Sequence, residues 1–140
     1  MKPKNLGSQT TTAARLRTVT PVFLVGDIAA TMRWYREALG FEADAVPRTP
    51  PHAFCILRRD DVEIFLQQLT GYRRPDLYDE RAGGVWNAYL HTEDVRALYE
   101  AVKGRPDVTV IQPLHRQPYR QTEFEIRDPN GYVLVFAEPW

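Results

Sequence analysis

Phe124-Glu125-Ile126-Arg127-Asp128-Pro129-Asn130-Gly131-Tyr132-Val133-Leu134-Val135-Phe136 decides how this chain folds. Two alternating runs of aromatic and β-branched residues flank a turn in which Pro129 fixes φ and Asn130-Gly131 tolerates positive φ, so the segment reads as a β-hairpin. An earlier stretch, Phe54-Cys55-Ile56-Leu57-Arg58-Arg59-Asp60-Asp61-Val62-Glu63-Ile64-Phe65-Leu66, lies over it without a gap. Phe54 then falls on Phe124, Ile56 on Ile126, Ile64 on Leu134 and Leu66 on Phe136.

The correspondence extends upstream, where Thr20 to Asp27 lies over Asn87 to Asp94. Each is a short apolar run ending in an acidic residue suited to cap a helix. Ile28, Met32 and Tyr35 then match Val95, Tyr99 and Val102 on one helical stripe. The chain reads as one unit written twice. Residues 1–15 are expected to be a flexible N-terminal tail, and residues 16–140 a single domain. Within it lie a first module at about 16–70, a linker at about 71–84 and a second module at about 85–140.

Composition narrows the classes of function. The 140 residues, 44% hydrophobic and 26% charged, suit one globular domain. A formal net charge of zero gives no electrostatic footprint for nucleic acid or an anionic membrane surface. Cys55 is the only cysteine, which excludes an intrachain disulfide and a thiolate metal cluster. No apolar run approaches the roughly 20 residues that span a bilayer, and no signal-peptide h-region is evident, so a cytoplasmic protein is expected.

Pro21 predicts that the strand from Leu16 to Val25 lies at a sheet edge, because proline donates nothing to a ladder. Asp27 should cap a helix through Leu39, closed by Gly40, with Trp34 packing beside its buried stripe. A short strand is expected over Phe41 to Val46 and another over Val108 to Gln112, followed by a loop from Pro113 to Gln121. His52 and His115 fall in proline-bearing loops.

These features together resemble the vicinal oxygen chelate superfamily, which includes glyoxalase I, extradiol dioxygenases, fosfomycin resistance enzymes and bleomycin resistance proteins. The likeness rests on the duplicated pattern, Val25-Gly26-Asp27, Trp34-Tyr35 through Leu39-Gly40-Phe41, and Asp128-Pro129-Asn130-Gly131, over about Arg17 to Pro139. It implies an α+β fold of two tandem βαβββ modules whose curved mixed sheets surround a cleft, commonly completed in a homodimer. The resemblance also implies four metal-ligand positions, which fall here on Thr20, Asn87, Phe65 and Val135. None is an ordinary ligand, and Phe65 and Val135 have no donor atom, so neither metal nor other cofactor is expected. The pattern is nearest to the metal-free members typified by bleomycin resistance proteins.

Period-two alternation assigns Thr20, Val22, Cys55, Leu57, Glu63, Phe65 and Gln67 to the cleft face of the first module. In the second module it assigns Asn87, Tyr89, Glu123, Glu125, Val133 and Val135. Phe54, Ile56, Ile64, Leu66, Phe124, Ile126, Leu134 and Phe136 make the helix-covered core. The expected ligand-binding residues are Phe65 and Tyr89 as stacking walls, Trp86 near the mouth, Asn87 for orientation, and Glu63 or Glu125 for a cationic compound, beside Thr20 and Val135. Each has an ordinary structural alternative: aromatics mostly pack, and the glutamates can pair with Arg58 and Arg127. Cys55 reads as a small buried hydrophobe. The competing functional reading is a glyoxalase-like lyase or a dioxygenase-type enzyme. It would use His91 with displaced carboxylates at a relocated metal, or a Glu63 or Glu125 base.

Overall fold

Each half of the chain folds as strand, helix and three further strands, in the order the duplicated sequence predicts. The structure, a computed structural model, describes residues 13–140. The first module comprises β1 (Val22–Val25), α1 (Ile28–Leu39), β2 (Glu42–Val46), β3 (Phe54–Arg59) and β4 (Val62–Gln68). The second comprises β5 (Ala88–His91), α2 (Val95–Val102), β6 (Thr109–Gln117), β7 (Gln121–Arg127) and β8 (Val133–Pro139). Each half makes a four-stranded mixed sheet, ordered β1-β4-β3-β2 and β5-β8-β7-β6. Most of the expected tail, residues 1–12, lies outside the described residues.

Local chemistry explains the boundaries. Asp27 caps α1 by accepting the Ala30 amide at 3.1 Å. Gly40, at φ 69°, closes the helix while the amides of Gly40 and Phe41 donate to Arg36 and Tyr35. β1 is an edge strand, paired only with β4, and the Pro21 carbonyl accepts the Phe65 amide. Helix α1 buries Ile28, Met32, Tyr35 and Leu39 against Phe23, Ile64 and Leu66. Each such fully buried apolar side chain contributes roughly 1.5–3 kcal/mol.

Two sequence expectations need correction. The gapless overlay of the halves fails in β3, where Cys55 and Leu57 pair with Leu66 and Ile64 and are fully buried in the helix-covered core. Ile56 sits beside Phe65 and Phe54 beside Gln67, on the face away from the helix. The cause is turn length. Arg59 pairs with Val62 across two residues, whereas the Asp128 amide bonds the Tyr132 carbonyl across three. One extra turn residue reverses every side chain in the preceding strand of the overlay. The second correction concerns β6, which continues to Gln117 through register shifts on both sides of Gln112. These irregularities let a strand run past Pro113, which has no amide to donate.

The modules meet through α1 and the β7–β8 turn. The Tyr35 hydroxyl donates to Asp128 Oδ2 at 2.8 Å, and the Tyr132 ring stacks on Phe23 at 4.1 Å. Trp34 is buried, and its Nε1 donates to the Asp107 carbonyl at 2.7 Å. The packing role expected for Trp34 is the one it has.

Candidate functional site

The face of each sheet turned away from its helix is here called the open face. In the second module its rows follow from strand register. Tyr89, Val135, Glu125 and Gln112 lie side by side, and so do His91, Ala137, Glu123 and His115. Phe124 and Ile126 between them point into the core, so alternation places two carboxylates on the opposite face.

Both carboxylates are buried, Glu123 at 0% exposure and Glu125 at 2%. The Tyr89 hydroxyl donates to Glu123 Oε2 at 2.5 Å, and the Tyr119 hydroxyl lies 2.9 and 2.8 Å from its two oxygens. Gln117 Nε2 donates to Glu123 Oε1 at 3.3 Å. Glu125 Oε1 accepts the Tyr78 hydroxyl at 2.6 Å. Among the described residues no basic side chain comes within salt-bridge distance of either glutamate. Burying a carboxylate is expensive unless donors replace water, and here phenols and an amide replace it without cancelling the charge.

The phenols register that field. Burial, then donation to Glu125, then its charge push the Tyr78 hydroxyl up to about 12. The Tyr89 and Tyr119 hydroxyls are raised further, first by burial and then by the bond to Glu123 and its charge. All three therefore remain proton donors at neutral pH.

Tyr78 reaches the sheet because the linker folds back over it through a 3₁₀ turn, Tyr78–Glu80. Gly84 makes this possible. It has φ 87°, and a Cβ there would lie 2.4 Å from the Tyr78 ring. Arg127 sits over the same ring at 5.3 Å and pairs with Asp76 at 3.3 Å. The accessible rim is aromatic: Trp86 is 38% exposed and tilts over Tyr89 at 5.5 Å, and Tyr119 is 50% exposed.

The other expected residues are placed as follows. Asn87 Oδ1 accepts the Val133 amide at 2.8 Å, so its carbonyl is committed to anchoring β8. Val135 is fully buried beneath the open face. Thr20 donates to Glu63 Oε1, and Arg58 pairs with Glu63 Oε2, both at 3.0 Å. Phe65 packs edge-on against Phe54 at 5.1 Å and lies beside Val22 and Ile56. Trp86, Tyr89 and Glu125 are thus brought together, while Thr20, Glu63 and Phe65 form a separate set on the first sheet. Tyr78, Tyr119 and Gln117 were not among the expected site residues. The one sequence signal for them was tyrosine in otherwise polar loops beside an acidic strand.

The four family ligand positions do not fit a divalent ion. Thr20 and Asn87 are engaged as described, and Phe65 and Val135 offer no donor. Among the described residues no three His, Cys, Asp or Glu side chains converge as a metal set. His91 instead packs edge-on against Tyr89 at 5.4 Å. Cys55 is buried, and desolvation raises its thiol pKa, which makes it a poor nucleophile.

Two βαβββ sheets with the helices on one face and an open, polar-lined face on the other define the class of glyoxalase-fold proteins. Residues 16–136 match the family model described as the Glyoxalase/Bleomycin resistance protein/Dioxygenase superfamily, and the chain belongs to that superfamily. Solved structures share the fold. A glyoxalase-related enzyme from Clostridium phytofermentans is 19% identical, with 92% of this chain and 99% of that one covered and a TM-score of 0.69. TioX from Micromonospora sp. ML1 is 14% identical, with coverage of 89% and 97% and a TM-score of 0.67. The bleomycin-binding protein of bleomycin-producing Streptomyces verticillus, solved with copper(II)-bleomycin, is 21% identical, with coverage of 88% and 96% and a TM-score of 0.62. No curated protein matches the chain. No helix among the described residues is long and apolar enough to cross a membrane.

Proposed function

We propose that this protein binds a flat aromatic or cationic small molecule on the open face of its second module, without a metal. The observation that carries this reading is the pair of buried carboxylates, Glu123 and Glu125, held by phenols and by no cation. Two uncompensated charges under an aromatic rim attract a positive group and supply rings on which to stack it. Trp86 and Tyr89 form the wall, with Tyr119 and Tyr78 as the polar edge. The bleomycin-binding protein, solved with copper(II)-bleomycin, supports the analogy because it shares the fold. As in the sequence reading, a second copy of the chain is expected to contribute the facing wall, and Phe54, Ile56 and Phe65 of the first module offer an apolar one.

The competing enzymatic reading places a general base at Glu63 or Glu125, or a metal at His91 with displaced carboxylates. Glu63 is engaged on both oxygens by Thr20 and Arg58, Glu125 is only 2% exposed with Oε1 bonded to Tyr78, and among the described residues no three ligand side chains converge around His91, so this reading has the weaker support.

The test is a fluorescence titration of Trp86 with copper(II)-bleomycin and, separately, with ethidium as a simple flat cation. Saturable quenching is expected, and Glu123→Gln, which keeps an acceptor for both tyrosines, should weaken it about tenfold by removing one charge. Absence of saturation with both probes, or unchanged affinity in the variant, would overturn the reading.

A further inference from the structure

The two modules correspond strand by strand and helix by helix, and only one of the two helix-to-turn contacts that this correspondence offers is filled by aromatic side chains. Registers fix the equivalence: Val22 lies beside Phe65 as Tyr89 lies beside Val135, and Asp27 and Asp94 cap the two helices. Trp34 thereby corresponds to Ala101, Tyr35 to Val102, Thr31 to Leu98 and Phe23 to Leu90. The pairs Arg58–Glu63 and Arg127–Val133 make Arg59 the counterpart of Asp128 and Val62 that of Tyr132.

In the filled half, α1 meets the β7–β8 turn through an indole and two phenols. Trp34 bonds Asp107, Tyr35 bonds Asp128, Tyr132 stacks on Phe23, and Asn130 Nδ2 donates to Thr31 Oγ1 at 3.0 Å. In the other half, α2 faces the β3–β4 turn with Ala101, Val102 and Leu98 opposite Val62. All three aromatic side chains are replaced by aliphatic ones, and a cavity of about 770 Å³ lies there, floored by Leu90, Val102 and Phe136.

The rim of this cavity is acidic. Asp60, Asp61, Glu93 and Asp94 line it with Arg59 and His91. Arg59 is committed to the Leu39 carbonyl at 2.8 Å and to Asp60 at 3.4 Å, and Asp94 caps α2 by accepting the Ala97 amide. Among the described residues Asp61 and Glu93 have neither hydrogen bond nor ion pair. The first two amides at the start of α2, those of Asp94 and Val95, already donate to Glu138, so the helix end offers them to no anion.

We infer that this cavity is a second binding site, separate from the open face, for a planar aromatic amine. Its ring takes the place that Trp34 and Tyr35 fill in the other half, against Leu90, Leu98 and Val102, and its ammonium meets Asp61 and Glu93. The inference does not depend on the proposed function, since apart from His91 at the end of β5 none of the residues lining the cavity belongs to the open face.

The experiment is methyl NMR of the full chain titrated with tryptamine, with indole-3-acetate as the anionic control. Saturable shifts are expected at the methyls of Val62, Leu90, Leu98 and Val102, with the acetate binding about tenfold more weakly because the rim repels it. Ala101→Trp restores the missing indole and should abolish these shifts while leaving those of Val133 and Val135 unchanged. Should that variant not fold, Asp61→Asn with Glu93→Gln serves instead, and should weaken tryptamine several-fold without affecting neutral indole. Shifts confined to Val133 and Val135, no saturable shifts, or full tryptamine affinity in the variant that folds would overturn the inference. The first of these would leave the open-face reading standing.

Discussion

The phenol of Tyr132 does for Leu24 what a neighbouring strand would do: its hydroxyl accepts the Leu24 amide at 3.1 Å and donates to the Leu24 carbonyl at 2.7 Å. The two residues lie 108 positions apart, in different modules. A side chain here closes an open sheet edge and locks the halves together at the same point.

Tyr132→Phe keeps the stack on Phe23 and removes both bonds, leaving a part-buried amide and carbonyl unpaired. The expected loss is about 1–3 kcal/mol of stability, read as a lower urea midpoint. An unchanged midpoint would mean that water replaces the hydroxyl without cost.

Gly84→Ala should dislodge Tyr78 from Glu125. The new Cβ meets the ring at 2.4 Å on a backbone with φ 87°, so a destabilisation of about 1–3 kcal/mol is expected, with loss of near-ultraviolet tyrosine dichroism. Gly84→Ala made in a Tyr78→Ala background should cost less, and this coupling distinguishes the clash from backbone strain alone.

Alkaline titration should expose the phenol cluster. Folding raises the Tyr78 hydroxyl from 10.0 to about 12, which means the folded state holds its proton more tightly than the unfolded one. Its contribution is complete below about pH 10 and is lost as the pH rises through about 12. Phenolate absorbance should therefore lag behind that of an unfolded control across this window, and thermal stability should fall through it. Tyr78→Phe should narrow the lag.

Zinc, nickel, manganese and iron(II), added to chelator-treated protein, should each leave the melting temperature unchanged. Binding to the folded state alone at a hundredfold excess over Kd would add about 2.7 kcal/mol, an effect easily seen. A clear rise with one ion, or stoichiometric metal after purification without chelator, would redirect attention to His91.

Much of the fold was legible because its signals are local. Asp27, Gly40 and Pro21 each act within a few residues, and each does what its chemistry demands. The face of β3 was misread because the overlay took its register from the Phe54 repeat, while the true register is set by the length of the turn. The site was only half legible. Trp86, Tyr89 and Glu125 follow from strand parity, but the bonds from Tyr78 to Glu125 and from Tyr89 to Glu123 span 47 and 34 residues. The first depends on where the linker folds and the second on how β5, β8 and β7 line up, and no sequence period records either.

The single added residue in the β7–β8 turn has one more effect. It sets Phe54 and Ile56 against Glu123 and Glu125 as structural counterparts, so at these two positions one open face carries apolar side chains and the other carboxylates. A pair of like walls would accept a guest in either of two flipped poses. Wherever these unlike walls enclose one molecule, a guest with an apolar end and a charged end has a single favoured orientation, and the duplicated scaffold acquires a sense of direction that a perfect repeat lacks.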